Sequence, residues 1–266
     1  MERQIGEFTY DDLLDCIAVL RNSAYGKPLA YLIALVGYYV VGRDVCEMLR
    51  YLTRRKRLDC LPAQTDVRYR IPAAQRVDRI TDLKIKKSAR PWSGTWHVFT
   101  YDIPTTHNAV WRRLAAQLHE MGFANMGRSS WISPYDWSDV VTTFIARNSC
   151  EGTFYCLSSA SVVALGEAAV KSPANLWDLG DLPQRYRQVR DLCVGAPSGK
   201  GEDKARSRAQ ALLCSQRERN LAERLDPMLP SQFLPPGWPR PEALAASEKL
   251  RQTVALDVER GSRREV

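Results

Sequence analysis

The residues best suited to chemistry in this sequence are a run of cations between Gly42 and Pro72. In its first part, arginines and lysines are opposed by only two carboxylates, Asp44 and Glu47. The cations are Arg43, Arg50, Arg54, Arg55, Lys56 and Arg57. A cationic helix face that has no core to join attracts phosphate groups, so this run is a candidate surface for a polyanion.

The apolar residues of the same run have helical spacing. Val45, Leu49 and Leu52 recur at i, i+4 and i+7, and Leu58 closes the pattern. This spacing predicts a helix with one buried face and one cationic face.

A hairpin is predicted directly after this helix. Leu58–Pro62 and Val67–Ile71 are short extended runs around a polar tip that contains Gln64, and Arg68 and Arg70 alternate with apolar residues. A basic helix followed by a basic hairpin is the arrangement of a winged helix-turn-helix, whose helix enters the major groove of DNA. The alternative is a solvated surface helix whose cations pair with neighbouring carboxylates.

The position of each polar residue predicts its role on DNA. Arginine can grip guanine and a carboxylate can accept from cytosine, so the early helix residues suit base edges. The later cations suit phosphates, which fix register without specifying sequence. The predicted DNA-binding residues are Arg43, Asp44, Glu47, Arg50, Arg54, Arg55, Lys56, Arg57, Gln64, Arg68 and Arg70.

Two further helices are predicted before the cationic run. Asp11–Asn22 carries leucines and isoleucine on one face, and Pro28 suits the opening turn of a helix that extends to Gly37. Three helices and a hairpin make residues 1–73 the size of one winged module.

Composition narrows the class of protein. The chain has 266 residues, a net charge of +8, a pI near 9.2 and seven scattered cysteines without C-x-x-C spacing. The charge favours polyanionic partners, and the cysteines indicate reduced thiols of a cytoplasmic protein. The apolar run Leu29–Val41 is too short for a membrane span, so no membrane partner is expected.

The middle of the chain predicts a second domain. Residues 74–93 are a charged connector in which Leu83 and Ile85 alternate with lysines, as in an extended linker or an edge strand. Residues 94–160 then show strand, helix, two strands, helix and strand, which is the β-α-β-β-α-β order of a ferredoxin-like unit. The predicted fold class is therefore α+β.

The last third of the chain is predicted to be helical. Residues 161–258 carry apolar stripes on helical spacing, including Leu221 and Leu225, and residues 259–266 form a charged tail that we expect to be disordered. The loop Gly195–Asp203 contains GKG but lacks the spacing of a phosphate-binding loop. The proline-dense Asp226–Pro239 predicts an ordered, packed crossover.

One carboxylate supports a rival, enzymatic interpretation. Asp102 ends the first strand of the predicted ferredoxin-like unit, where a carboxylate could bind a magnesium ion in a metal-dependent nuclease. The simpler interpretation is a residue that caps the turn after the strand. The three histidines are isolated, so we expect no catalytic residue, no bound metal and no resident cofactor.

Aromatic residues of the helical region raise a further possibility. Trp177, Tyr186, Phe233 and Trp238 could line an effector pocket between helices, although aromatics at such spacing more often form a core. The sequence alone therefore leaves the effector site unknown.

Several segments together resemble the PaaX family of bacterial transcription regulators, named for repressors of phenylacetic acid degradation. They are WHVFTYDIP from Trp96, RRLAAQLHEMGFANMGRSSWISP from Arg112, LWDL with a following Tyr186, and DPMLPSQFLPPGWP from Asp226. They occur in the family's order over nearly the whole chain. One departure is that Lys56 and Arg57 stand where the family usually has a small residue between recognition helix and wing.

The resemblance implies a function that composition cannot. It implies a homodimeric repressor of a catabolic operon, with an N-terminal winged helix, a central ferredoxin-like domain akin to a small CRISPR-associated endonuclease, and a helical C-terminal effector and dimerisation region. It also implies double-stranded DNA as partner and a phenylacetyl-CoA-like aryl or acyl-CoA thioester as the effector that releases DNA.

Overall fold

The computed structural model of the chain describes residues 14, 27–28, 45–61, 68–70, 72, 80–102, 108–148, 152–162 and 176–262. These residues form helices and two antiparallel sheets, which agrees with the α+β class. The chain divides into two compact units. The first comprises Met1–Asp78, Pro183–Asn220 and Pro239–Val266, and the second comprises Arg79–Leu182 and Leu221–Trp238.

The elements are named here in chain order. The strands are β1 (Lys27–Pro28), β2 (Asp59–Leu61), β3 (Arg68–Arg70), β4 (Trp96–Asp102), β5 (Ala124–Gly127), β6 (Ser130–Ser133) and β7 (Thr153–Ser159). The helices are α1 (Val45–Arg54), α2 (Ile80–Ser88), α3 (Asn108–Glu120), α4 (Ser138–Arg147), α5 (Leu182–Val194), α6 (Glu202–Leu225) and α7 (Arg240–Ser262), and Ser231–Phe233 is a short 3₁₀ helix.

The smaller sheet has the strand order β1-β3-β2, with β1 before α1 in the chain and β2 and β3 after it. Cys60 pairs with Tyr69 and Leu61 with Arg68 in antiparallel register, so the predicted hairpin is confirmed, while its tip lies outside the described residues. Pro28 was predicted to open a helix and lies instead in β1, opposite Arg68. β1 is an edge strand, where a residue without a backbone N–H is tolerated.

Of the two helices predicted before the cationic run, the structure describes little. Leu14 is helical and buried, which agrees with the first prediction at that residue. The rest of both segments, apart from β1, lies outside the described residues.

The larger sheet belongs to the second unit and has the order β5-β6-β4-β7. α3 connects β4 to β5 and α4 connects β6 to β7, so the predicted β-α-β-β-α-β order is confirmed. α3 ends at Glu120, two residues before Gly122. Gly122 has φ +87°, and Phe123 N–H donates to the Leu118 carbonyl, which closes the helix end.

Both faces of this sheet are covered by apolar side chains. On one face, Phe99 and Tyr101 of β4 pack with Leu114 and Leu118 of α3 and with Val141 of α4. The other face carries a smaller cluster around Trp96, Ala124 and Ile132, against which Trp177 and Phe233 pack. These two aromatics are thus part of a core.

α2 corrects the prediction for the connector at residues 74–93. Ile80–Ser88 is a helix, not an extended linker or edge strand. The alternation of Leu83 and Ile85 with lysines suggested a strand, but Lys84 faces inward as the apolar residues do. Its side chain is 1% exposed, and its Nζ donates to the carbonyls of Arg224 and Asp226, each at 2.9 Å.

The helical prediction for the C-terminal region is confirmed, with one error on α6. Ala209 and Leu212 are buried, but Leu221 and Leu225, which were predicted to lie on an apolar stripe, are 45% and 53% exposed. Ala222 and Glu223 face inward in their place. Glu223 lies within the electrostatic reach of buried Lys84, so charge pairing helps to set which face of the last turns is covered.

Two segments of this region show how the loops are fixed. Arg208 is buried, forms a 2.7 Å ion pair with Asp257, and donates from Nη1 to the carbonyls of Pro197 and Gly199 in the predicted polar loop. The proline-dense crossover is packed as predicted, since Met228 is buried and its carbonyl accepts from Tyr135 Oη at 2.7 Å.

The end of the chain also differs from the prediction. α7 extends to Ser262, so residues 259–262 continue the helix and do not belong to a disordered tail. Residues 263–266 lie outside the described residues. Within the described part of the chain, no helix has the length and hydropathy needed to cross a bilayer.

Candidate nucleic-acid interface

α1 has the two faces that its sequence predicted. Leu49 and Leu52 are fully buried, and Leu58 just beyond the helix is nearly so. Met48, which the spacing did not single out, is buried beside them. Burying a side chain of this size stabilises the fold by about 1.5–3 kcal/mol, so three or four such residues fix the rotation of α1 about its axis.

The opposite face of α1 carries a polar stripe. Glu47, Arg50, Tyr51 and Arg54 are all exposed and follow one another at i, i+3, i+4 and i+7. These positions lie within about 100° of one another around a helix axis. The structure therefore brings one carboxylate, two guanidiniums and a phenol onto a single surface; we call these four residues the α1 stripe.

Tyr51 is the member of the stripe that the sequence analysis missed. Its side chain is 36% exposed, and the guanidinium of Arg55 lies 5.6 Å from the centre of its ring. That distance is within cation–π range, which holds Arg55 beside the stripe. The helical spacing of Tyr51 from Glu47 is the signal that could have identified it.

The end of α1 has a strained corner. Lys56 has φ +57°, its N–H donates to the Thr53 carbonyl at 2.9 Å, and Arg57 N–H donates to the Leu52 carbonyl at 2.8 Å. This is the hydrogen-bond pattern of a Schellman cap, in which the left-handed position is usually glycine. A lysine here costs about 1 kcal/mol in backbone strain and places a cation between the helix and the hairpin.

The hairpin cations are less exposed than those of the helix. Arg68 and Arg70 are half-buried, and Arg70 Nε lies 3.1 Å from Asp59 Oδ2 across the two strands. Asp59 and Arg70 are directly opposite in register. A half-exposed pair of this kind contributes about 0–1 kcal/mol, so it neutralises part of the hairpin's charge without locking it.

The remaining predicted DNA-binding residues fall in different places. Arg54, Arg55 and Lys56 are exposed at the end of α1, and Arg57 is half-buried. Arg43, Asp44 and Gln64 lie outside the described residues. From residue 47 to 56 the exposed side chains thus include four cations and one carboxylate.

The rival nuclease residue lies elsewhere in the molecule. Asp102 is exposed at the last position of β4, opposite Thr153 of β7. Within the described residues, no group of three or more histidine, cysteine or acidic side chains is placed to hold a metal ion. In the described part of the chain, Cys60, Cys156, Cys193 and Cys214 are free thiols.

The central part of the chain matches a family model. Residues 89–170 match the PaaX protein central Cas2-like domain. This part of the chain is similar to the PaaX central domain. The match covers all four strands of the larger sheet and the two helices between them, and it confirms the resemblance to the PaaX family there.

A solved structure has a similar fold. The uncharacterized protein Rv0674 from Mycobacterium tuberculosis superposes with a TM-score of 0.63, covering 96% of this chain and 99% of that one, at 20% sequence identity. The two proteins therefore have a common fold in and beyond the PaaX central domain. Comparison with curated protein sequences found no significant match.

Proposed function

We propose that the protein is a sequence-specific DNA-binding transcription regulator of the PaaX type, acting as a repressor of a catabolic operon. The observation that carries the proposal is the α1 stripe. It is an exposed polar face on a helix whose other face is buried, and a hairpin follows it within five residues.

The N-terminal elements support a winged helix-turn-helix. In that fold a short strand precedes the recognition helix and pairs with the hairpin behind it, and here β1 pairs with β3 and β3 with β2. α1 lies between β1 and β2 in the chain, at the position of the recognition helix. We assign residues 1–73 to this domain and the hairpin to its wing.

The stripe divides into two kinds of contact. Glu47 and Arg50 on the earlier turns suit base edges, where a carboxylate accepts from cytosine and a guanidinium donates to guanine. Arg54, Arg55 and Lys56 at the end of the helix suit phosphates, and the ring of Tyr51 between them suits a sugar or a thymine methyl group. The other predicted contacts are Arg43, Asp44, Arg57, Gln64, Arg68 and Arg70.

Two arginine substitutions test this division. Binding to the DNA upstream of the protein's own gene and to a scrambled duplex is measured by fluorescence anisotropy. We expect Arg50→Ala to lose about 1–3 kcal/mol on the upstream DNA and much less on the scrambled duplex. Arg55→Ala should weaken both by a similar factor, because phosphates carry no sequence.

Salt dependence and a matched control complete this test. Arg113→Ala removes an exposed arginine from α3, in the central domain, and should leave both affinities unchanged. If a dimer neutralises six to ten phosphates, affinity falls by about a thousandfold or more between 50 and 200 mM salt. Equal losses on the two duplexes for Arg50→Ala would reverse its assignment to a base.

We further propose an aryl or acyl-CoA thioester, similar to phenylacetyl-CoA, as the effector that releases the DNA. The family resemblance motivates this choice, and residues 161–258 are the proposed effector and dimerisation region. Thermal-shift measurements against a panel of acyl-CoA thioesters, repeated as gel shifts, test it. An effector should raise the unfolding midpoint and lower the affinity for DNA, and DNA should lower the affinity for the effector by the same factor.

A homodimer in the cytoplasm is the proposed form of the regulator. Two recognition helices separated by one turn of DNA, about 34 Å, would read a palindromic site. Sedimentation of the protein with and without a duplex containing the site tests this, and one monomer per duplex at saturation would contradict it.

The alternative function is a metal-dependent nuclease, favoured by the position of Asp102 at the end of the first strand of a Cas2-like domain. Incubation of the protein with nucleic acid and Mg²⁺ separates the two functions. Cleavage that Asp102→Ala abolishes would favour the enzyme, whereas no cleavage by either protein would favour the regulator.

A further inference from the structure

The central domain carries exposed arginines that have no partner in the fold. Residues 94–162 contain Arg112, Arg113, Arg128 and Arg147, and all four are exposed. Within the described part of the chain, no ion pair or hydrogen bond holds any of these guanidiniums. We call Arg112, Arg128, Arg147 and the exposed Trp111 the arginine surface.

Two of these arginines lie at the end of β4. The Tyr101 N–H donates to the Ser129 carbonyl at 3.2 Å, so the turn between β5 and β6, which contains Arg128, lies beside this end of the strand. α3 is the helix that follows β4 in the chain, and Arg112 lies in its first half. Both guanidiniums are therefore presented at the same end of the sheet.

Arg147 reaches this end through α4, which connects the end of β6 to the start of β7. Ser133 of β6 pairs with His97 near the start of β4, whereas Thr153 of β7 pairs with Asp102 at its last position. The C-terminus of α4 is therefore at the end of the sheet where β4 ends. Arg147 is the last residue of the helix.

The described carboxylates of the domain lie elsewhere. Asp102 follows Tyr101, whose side chain packs against the helices, so Asp102 points to the opposite face of the sheet. Glu120 ends α3, and Asp136 and Asp139 lie around the start of α4, so these three belong to the other end of the sheet. The arginine surface thus has an uncompensated positive charge that attracts phosphate.

Trp111 adds an aromatic ring to this surface. Its side chain is 40% exposed. Burial raises the pKa of the Tyr101 hydroxyl, and the nearby indoles of Trp131 and Trp111 lower it, which places Trp111 against the end of β4. Trp111 and Arg112 are adjacent on α3, whereas Arg113 lies about 160° around the helix from Trp111 and outside the surface.

Unpaired guanidiniums beside an exposed indole suit a single-stranded nucleic acid. Guanidiniums bind phosphates whatever the sequence, and an indole stacks on any base because every base has a π face. In a duplex the base faces are already covered by neighbouring base pairs, so the indole would have no face to stack on.

We propose that the arginine surface binds single-stranded nucleic acid, with Trp111 stacked on a base and Arg112, Arg128 and Arg147 on neighbouring phosphates. This binding is an additional activity of the protein. It does not rest on the function proposed above, since all of its residues belong to the central domain.

Fluorescence anisotropy with the full-length protein tests the proposal. The probes are labelled oligo(dT) and oligo(U) strands of about 15 nucleotides, near the upper end of the site sizes of single-strand-binding modules. Trp111→Leu should weaken binding of the strands at least fivefold, because stacking on one base is lost. Trp111→Phe keeps an aromatic ring and should retain most of the affinity.

The salt dependence counts the phosphate contacts. Three contacts predict a slope of log K against log salt concentration of about −2 for a single strand, and each arginine removed should reduce its magnitude by about 0.7. Arg112→Ala and Arg147→Ala should both show this reduction. The matched control is Arg113→Ala, which removes an exposed arginine from another side of α3 and should leave affinity and slope unchanged.

A crosslink provides a measurement that needs no substitution in the protein. 5-Iodouracil replaces thymine in the strand and, on irradiation, crosslinks to an aromatic ring stacked on it. Mass spectrometry then identifies the crosslinked peptide, and we expect the peptide that contains Trp111.

The duplex from upstream of the protein's own gene is measured with the same variants. Arg112→Ala and Arg147→Ala should weaken binding of the strands and leave binding of this duplex unchanged, whereas Arg55→Ala should do the reverse. Strand binding by a protein that does not bind the duplex would refute the proposed regulator and leave the arginine surface supported.

Four results would overturn the proposal. They are no binding of either strand by the wild type, equal weakening by Arg112→Ala and Arg113→Ala, equal losses on strand and duplex for Arg112→Ala, or crosslinks confined to peptides without Trp111.

Discussion

Replacement of Lys84 by methionine should remove a specific pH dependence of stability. Burial is the largest influence on this ammonium and lowers its pKa from 10.5 to about 8, against the opposing charges of Asp226, Glu120 and Glu223. In the unfolded chain the lysine regains its ordinary pKa. Between pH 8 and 10.5 the unfolded state therefore binds a proton that the folded state has lost, so the stability of the folded state rises with pH.

The magnitude follows from the two pKa values. Each unit of pKa difference is worth 1.36 kcal/mol, so the full effect is about 3 kcal/mol, of which about 2 kcal/mol develops between pH 7 and 9.5. Conversely, this stability is lost as pH falls through 8. Lys84→Met has no such proton to lose, and it also leaves the carbonyls of Arg224 and Asp226 without their donor, which costs about 1–3 kcal/mol at any pH.

Urea unfolding followed by tryptophan fluorescence, under reducing conditions at pH 7.0, 8.0, 9.0 and 9.5, measures the effect. The difference in unfolding free energy between wild type and Lys84→Met should widen by about 2 kcal/mol over this range. Lys86→Met, on the exposed face of the same helix, should run parallel to the wild type. Parallel curves for wild type and Lys84→Met would refute the inference that the buried ammonium is strongly desolvated.

Three further substitutions test features of the backbone and the buried charges. Lys56→Gly should be about 1 kcal/mol more stable than Lys56→Ala in urea unfolding, because glycine adopts φ +57° without strain, and equal stabilities would contradict the cap geometry. Gly122→Ala should cost about 2 kcal/mol or more, since its Cβ would lie 2.8 Å from the Pro227 carbonyl oxygen, whereas Gly94→Ala, at a similar φ but in open space, should cost about 1 kcal/mol. Arg208→Met leaves Asp257 buried without its 2.7 Å partner and should cost about 3–5 kcal/mol, compared with less than about 1 kcal/mol for Arg206→Met in an exposed pair; similar losses for both would show that Arg208 is not desolvated.

Local sequence patterns predicted the helices and strands whose apolar residues have a regular spacing. The spacing of Leu49 and Leu52 predicted both α1 and its buried face, and the alternation around β2 and β3 predicted their hairpin. In the central domain, the order of strands and helices was predicted correctly, because aromatic and β-branched runs there are separated by clear turn residues.

The errors arise where distant residues decide the outcome. Leu83 and Ile85 alternate with lysines as in a strand, but the carbonyls that bind Lys84 lie 140 residues further along the chain and favour a helix there. Leu221 and Leu225 continue an apolar stripe in the sequence, yet the structure turns Glu223 inward towards the charge of Lys84. A local window contains neither partner.

The candidate sites likewise divide into features that local sequence predicts and features that depend on distant residues. The cations of α1 are adjacent in sequence and were predicted as a group, whereas Tyr51 required knowledge of which helix face is exposed. In the central domain, the cross-strand register sets His97 beside Ser158, two residues 61 positions apart, and no local window predicts this contact.

The central claim, that the α1 stripe lies against duplex DNA, is tested most directly by photocrosslinking. A photoreactive phenylalanine analogue replaces Tyr51 in one sample and Tyr155, which is more exposed but lies in the central domain, in another. With the duplex from upstream of the protein's own gene, the account predicts a crosslink to DNA from position 51 that an excess of unlabelled duplex abolishes. No crosslink from position 51 in a complex that still binds the duplex would contradict it.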